Sequence, residues 1–278
     1  MAVDLPSGIL RQTDPRETVS NVAESKANWD LVNAKFAGKL TVPTNSNSVY
    51  MRADGLKMYI ATFTSRKVKE FDLTVAFDIT TASELQELDL SAVTNDLNGL
   101  FFKPDGLKLY IMDMPAKTVR AYDLSTAWDV TSASAEVQTF VVSTGLNAKG
   151  LFFREDGRLM FMCDVDAGDL IFQFYLSTEW DVSTAVKSEE LSFTNPEEVK
   201  FSRKGDLMFI IKGATVERYK LASDWRISTA TSDTVFTLAP ELTSLTGLHF
   251  STAGSKMFVN NNTTMHQFSI RRGWRENA

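Results

Sequence analysis

The stretch Gly99–Val142 reads GLFFKPDGLKLYIMDMPAKTVRAYDLSTAWDVTSASAEVQTFVV, and its reading decides the fold. Short apolar runs broken by turn residues read as strands. Here they are Gly99–Phe102, Leu107–Asp113, Thr118–Leu124 and Glu136–Val142. Lys103-Pro104-Asp105-Gly106 joins the first two. Pro presets φ and Gly supplies φ > 0, so this segment is a tight hairpin turn.

The same stretch recurs along the chain. The hairpin glycines are Gly55, Gly106, Gly157, Gly205 and Gly254, spaced by 51, 51, 48 and 49 residues. Asp54, Asp105 and Asp156 precede the first three, while Lys204 and Ala253 replace that Asp in the last two. Four positions before each glycine stand Met51, Phe102, Phe153, Phe201 and Phe250. After each comes an apolar triplet, as in Leu109-Tyr110-Ile111 and Met208-Phe209-Ile210. The third run carries Phe71, Tyr122, Phe174, Tyr219 or Phe268. Agreement at this many positions in five copies is a repeat architecture.

Four strands in each unit of roughly 50 residues predict an all-β fold, a five-bladed β-propeller of four-stranded blades. A blade apolar on both faces must pack against neighbours, so adjacent residues such as Leu109, Tyr110 and Ile111 are all apolar. Each third run is followed by an aromatic residue: Phe77, Trp128, Trp180, Trp225 and Trp274. The last unit ends soon after Trp274 and lacks a fourth strand. Trp29-Asp30-Leu31-Val32-Asn33-Ala34 matches Trp128-Asp129-Val130-Thr131-Ser132-Ala133. Residues 29–43, with a strand at Lys39–Val42, are therefore expected to close the ring by joining the last blade, removing two open edges. The propeller domain would span 28–276. Residues 1–27 match no repeat and form an N-terminal extension, with Asp14-Pro15-Arg16-Glu17 as a helix start for about 15–26. This extension reads either as a disordered tail or as an arm that docks on a partner subunit.

Composition limits function. The net charge of −6 over 278 residues offers no basic footprint for nucleic acid. No apolar run reaches the length of a membrane span, and Met1–Leu10 shows no secretory signal. One cysteine, Cys163, excludes an internal disulfide framework, and with only two histidines the residues argue against a zinc site. No cofactor motif is present.

The units, from the hairpin D-G to Leu176-Ser177-Thr178-Glu179-Trp180-Asp181-Val182-Ser183-Thr184-Ala185, resemble a tandem repeat of bacteriophage structural proteins and some bacterial surface proteins. The resemblance covers 29–274. It implies a non-enzymatic virion component: a tail, fibre or capsid-decorating protein, made in the host cytoplasm. Its partners would be other virion proteins, met through residues 1–27 and loops, and a host surface glycan or protein. Arg226 and Arg275 depart from the Asp that follows Trp, so those units are expected to lose what the Asp supplies. The Trp-Asp pairs differ from the WD40 pattern, in which the pair ends the third strand and a Gly-His precedes it. The sialidase-type turn is also unlike this one, because Asp105 and Gly106 are adjacent and no Trp follows.

Binding is expected on loops at the fourth-to-first and second-to-third connections, such as Thr44–Ser48. Candidates there are Asn98, Asp113, Asn147, Asp164, Asp166, Asn195 and Asn261. These loops differ between units, which argues against a repeated lectin site, the alternative binding function. A glycosidase needs paired acids near the axis. Seven residues before each glycine stand Ser48, Gly99, Gly150, Glu198 and Gly247, only one of them acidic. Asp164, Asp166 and Asp169 lack the remaining positions of a calcium loop and read as a solvated loop. His249, His266 and Cys163 read as packing residues. Each Trp-Asp pair should cover the blade edge with its indole and cap backbone N–H groups with its carboxylate.

Overall fold

A computed structural model describes residues 29–142, 147–165, 169–238 and 242–270. The first unit holds β1 (Ala34–Met51), β2 (Lys57–Thr62), β3 (Lys67–Leu73) and β4 (Ala82–Asp89). The second holds β5 (Leu97–Phe102), β6 (Lys108–Asp113), β7 (Thr118–Leu124) and β8 (Ala133–Val141). Then come β9 (Ala148–Phe153), β10 (Leu159–Asp164), β11 (Leu170–Leu176) and β12 (Ala185–Ser192). The fourth unit has β13 (Glu198–Phe201), β14 (Leu207–Lys212), β15 (Thr215–Leu221) and β16 (Ala230–Thr237). Last are β17 (Gly247–Phe250), β18 (Lys256–Asn260) and β19 (Asn262–Ile270). The fold is all-β and propeller-like, built from four-stranded antiparallel sheets, with only single 3-10 turns as helix among the described residues. No helix among them is long and apolar enough to cross a membrane.

Three sheets are simple four-strand meanders. The fourth has seven strands in the order β17-β18-β19-β1-β2-β3-β4. Its centre is β1, whose first part pairs with β19, from Ala34 opposite Ile270 to Thr41 opposite Thr264. Its second part pairs with β2, Val49 opposite Ile60 and Met51 opposite Met58. The sequence predicts a strand at Lys39–Val42 and a loop at Thr44–Ser48. One strand covers both instead, because the two pairings follow each other with only a register break between Thr41 and Ser46. Pro43 sits in that break, where its missing N–H costs no ladder bond.

The unit-to-unit contacts are aromatic and repeat in register. The second-strand ring of one unit meets two rings of the next. Tyr59 lies 4.3 Å from Phe102, which lies 5.5 Å from Trp128. Tyr110, Phe153 and Trp180 repeat this at 4.6 and 5.7 Å, and Phe161, Phe201 and Trp225 at 4.3 and 5.4 Å. In the next interface Phe209 meets Phe250 at 4.5 Å, and the third ring is Trp29, 5.1 Å from Phe250. Trp29 thus fills the last unit's aromatic position; Trp274, the 15–26 helix and the 1–27 extension lie outside the described residues.

Each of these rings lies on the hairpin glycine of its own unit. A Cβ on Gly106 would stand 2.4 Å from the Trp128 ring, and one on Gly254 2.2 Å from Trp29. Four of the rings reach this seat from left-handed backbone: φ is 56° at Phe77, 68° at Trp128, 62° at Trp180 and 65° at Trp225. That conformation costs a residue with a Cβ roughly 1–2 kcal/mol. Burial of a large ring offsets it. The following Asp acts as expected: Asp78, Asp129 and Asp181 each accept the N–H two residues on, at 2.9–3.0 Å. Asp30 does so in the last unit.

The Arg226 unit is compensated rather than impaired, and Arg275 lies outside the described residues. Arg226 makes no cap, but Glu189 of the preceding unit accepts the Ser228 N–H at 3.0 Å and pairs with Arg226 at 2.9 Å. The turn Asp of the first three units accepts the next-but-one N–H, as Asp105 does from Leu107 at 3.0 Å. Where Lys204 and Ala253 stand instead, a different turn N–H is met, one residue further on: Ser202 and Ser251 accept from Leu207 and Lys256 at 3.2 and 3.0 Å.

Trp29→Ala should cost about 3–5 kcal/mol of stability, the range for deleting a buried aromatic side chain. Denaturant unfolding checks this. A loss below about 1 kcal/mol would show that the N-terminal segment does not hold the last unit together.

Candidate functional site

The first strands lie side by side. In order β1, β5, β9, β13, β17 each touches the next, and β17 touches β1. Glycines permit the approach. A Cβ on Gly99 would meet Leu151 Cβ at 3.1 Å, and one on Gly247 would meet Ser48 Cα at 3.3 Å. Layers of equivalent residues therefore stack along this bundle, one residue per unit.

At the hairpin end, the residues five before each glycine are Tyr50, Phe101, Phe152, Lys200 and His249. They form a girdle. His249 and Tyr50 are 5.4 Å apart, Tyr50 and Phe101 5.4 Å, Phe101 and Phe152 5.7 Å. The Lys200 ammonium stands 5.9 Å from the Phe152 ring centre. A cavity of about 170 Å³ opens here. Its rim is set by the residues two before each glycine: Ala53, Pro104, Glu155, Arg203 and Thr252. Trp29, Trp128 and Trp225 line it as well.

Lys200 is the cavity's buried charge. Its ammonium donates to Leu151 O and to Glu198 Oε1, both at 3.1 Å. Glu198 is 1% exposed. Burial pushes its carboxyl up, and the charge and hydrogen bond of Lys200 pull it back. Glu198 leans over Gly150, whose Cβ would lie 2.7 Å from Oε1, so the ion pair fills the space the middle glycines leave. Burial, and then the charge of Lys200, lowers the His249 pKa to about 3, so its imidazole stays neutral at physiological pH.

The opposite end of the bundle is polar. The residues eight before each glycine are Asn47, Asn98, Lys149, Glu197 and Thr246, around a 30 Å³ cavity. Asn47 donates to Asn98 at 2.7 Å, and Lys149 pairs with Glu197 at 2.6 Å. Beside them Asn98 donates to Asp96 at 2.6 Å. Burial, with Asp113 nearby, raises the Asp96 pKa to about 7.

The loop candidates divide. Asn98 lies in this polar cluster. Asp113 is buried and pairs with Arg120 at 2.9 Å. Asp164 is buried and accepts the Asn147 N–H at 2.8 Å, so neither is a free loop group. Asn261 accepts from Thr264 N–H and hydroxyl, fixing its own turn. Asn195 sits in left-handed backbone, φ 49°. Asp166 lies outside the described residues. His266 contacts the Thr264 hydroxyl at 3.0 Å. Cys163 is buried, and its thiol is pushed up by burial and then by Glu198. Among the described residues, no group of three His, Cys, Asp or Glu side chains could hold a metal ion. The hairpin-end girdle lies apart from these loops. Its signal was present one position before Met51, Phe102, Phe153, Phe201 and Phe250, in the same repeat register.

No family model and no curated protein matches the chain. Two solved structures are similar over most of it. One is a functionally unknown protein from Desulfotomaculum acetoxidans, 11% identical, covering 83% of this chain and 67% of that one, TM-score 0.48. The other is a protein from Lactobacillus plantarum, 14% identical, covering 84% and 70%, TM-score 0.49.

Lys200→Met leaves Glu198 buried without its cation and should cost about 3–5 kcal/mol at pH 8. The Glu198 pKa then rises further, and a proton relieves the buried charge. The penalty relative to the parent chain should therefore shrink as pH falls toward the ordinary carboxylate range. Unfolding measured across pH checks this; a pH-independent penalty would show that the pair carries no buried charge.

Proposed function

We propose that the chain is a closed five-bladed propeller and a non-enzymatic binding component of a bacteriophage particle, a tail, fibre or capsid-decorating protein. Ring closure is supported by the two pairings of β1 and by the contact of β17 with β1. The virion setting is supported by the sequence resemblance of the Leu-Ser-Thr-x-Trp-Asp repeat.

The observation that carries the binding role is the composition of the girdle. Each unit supplies one residue to a single shared cavity, and the five do not repeat one type: Tyr50, the phenylalanines Phe101 and Phe152, Lys200 and His249. A site of this kind takes one partner group per chain. Five equal sugar sites would need one polar set repeated in every unit, whereas the polar cluster reads Asn47, Asn98, Lys149, Glu197 and Thr246. Hydrolysis at Glu198 is also disfavoured, because its near oxygen is held by Lys200 and the side chain is buried. The partner would be another virion protein or a group on the host surface.

Purified particles provide the test. Mass spectrometry should find this chain at a fixed ratio to the major capsid protein, and gold-labelled antibody should mark one substructure. Recovery only from the soluble fraction of the host would overturn the virion reading.

A further inference from the structure

We propose that the hairpin-end cavity takes a single uncharged aromatic ring, presented as a side chain by a partner protein. This rests on the reading of the chain as a one-partner binding disc, and it names the group that enters.

Size sets the first limit. A cavity of about 170 Å³ compares with the roughly 150 Å³ that holds one benzene. It admits one six-membered ring and no oligosaccharide.

Charge sets the second. A cationic group would seek an aromatic face, but the Lys200 ammonium already stands over Phe152 at 5.9 Å and repels a second cation. An anionic group would seek a free cation. Lys200 is committed to Glu198 and Leu151 O, and Arg203 pairs with Glu155 across the rim at 3.4 Å. The imidazole of His249 is uncharged at neutral pH.

Hydrogen bonding sets the third. A pyranose carries several hydroxyls, each costly to bury without a partner. Two rim hydroxyls that could meet them are engaged. Thr252 Oγ1 donates to Ala53 O at 3.3 Å, and Ser251 Oγ accepts the Lys256 N–H at 3.0 Å. Most of what is left facing the cavity is aromatic wall, Tyr50, Phe101 and Phe152, with consecutive planes at 74°, and the indole N–H of Trp29 is one unpaired donor beside it, too few for a pyranose. Such walls offer edges and faces to an inserted ring. An aromatic anchor in a pocket with a charged rim is also the usual centre of a protein interface.

The test uses the full chain and saturation-transfer NMR. The probes are p-cresol, benzoate, tetramethylammonium, methyl glucoside and the peptide acetyl-Gly-Tyr-Gly-amide. p-Cresol should bind saturably with a Kd on the order of 1 mM. The peptide should compete with it, and the charged and sugar probes should bind about tenfold more weakly or not at all. Ala53→Phe, at the exposed rim, should abolish p-cresol binding while the unfolding temperature stays unchanged. If that variant unfolds, the probe series on the parent chain still decides the matter. Equal or tighter binding of the sugar, the cation or benzoate overturns the proposal, as does p-cresol binding that Ala53→Phe leaves intact. Cresol binding with the peptide excluded overturns it in favour of a small aromatic molecule. p-Cresol and peptide binding by a chain absent from particles would sink the virion reading and leave this one standing.

Discussion

The structure depends on a ring laid on a glycine. Trp128 on Gly106 is the pattern: the hairpin has no Cβ, so the indole lies flat against its backbone. Once seated, the ring becomes a wall for the preceding unit. Tyr59 lies tilted against it, ring centres 6.4 Å apart, and donates its hydroxyl to the Trp128 carbonyl at 2.7 Å. Tyr110 does the same to the Trp180 carbonyl at 2.7 Å. One contact therefore shapes the turn, buries apolar area and aligns neighbours. A hairpin side chain would break all three, which is why glycine stands there in every unit.

At two interfaces a chemically different group takes the place of a missing one. Phe209 and Phe258 have no hydroxyl to reach the next carbonyl. In the interface to the last unit Arg218 reaches the Trp29 carbonyl instead, at 2.7 Å. In the interface from the last unit to the first, Lys256 reaches the Phe77 carbonyl at 2.7 Å. At these four interfaces the accepting carbonyl, that of Trp128, Trp180, Trp29 or Phe77, occupies one repeat position, and the donor varies. The hairpin turn varies too: Asp meets the N–H just after the glycine in three units, and Ser202 or Ser251 meets the following one in the other two.

Much of the fold was legible because the repeat is both local and periodic. Thr118–Leu124 was read to the residue, and the kinship of Trp29-Asp30 with Trp128-Asp129 located the segment that pairs with β19. The single long β1 was not legible. Pro43 and Asn45 look like a loop, and only the partner strands on either side keep the backbone extended. The cavity was missed for another reason. Phe101 and Phe102 are both apolar, and a sequence does not say which of two adjacent residues faces its own sheet's core and which faces the central bundle. Lys200 and Glu198, two apart and so on one side of β13, were the available clue, since a charged pair amid apolar repeats marks a different environment.

The shared strand β1 also has a consequence for synthesis. Its partner β19 is translated more than two hundred residues later. A ribosome adding about 5–20 residues per second needs on the order of ten to fifty seconds to deliver it. Throughout that interval the nascent chain carries a naked ladder of donors and acceptors, open to pairing with another copy. Lys35, Lys39 and Pro43 lie along it, the residue types that discourage intermolecular β-pairing. The segment that pairs with β19 thus carries, in its own composition, residues that oppose such pairing.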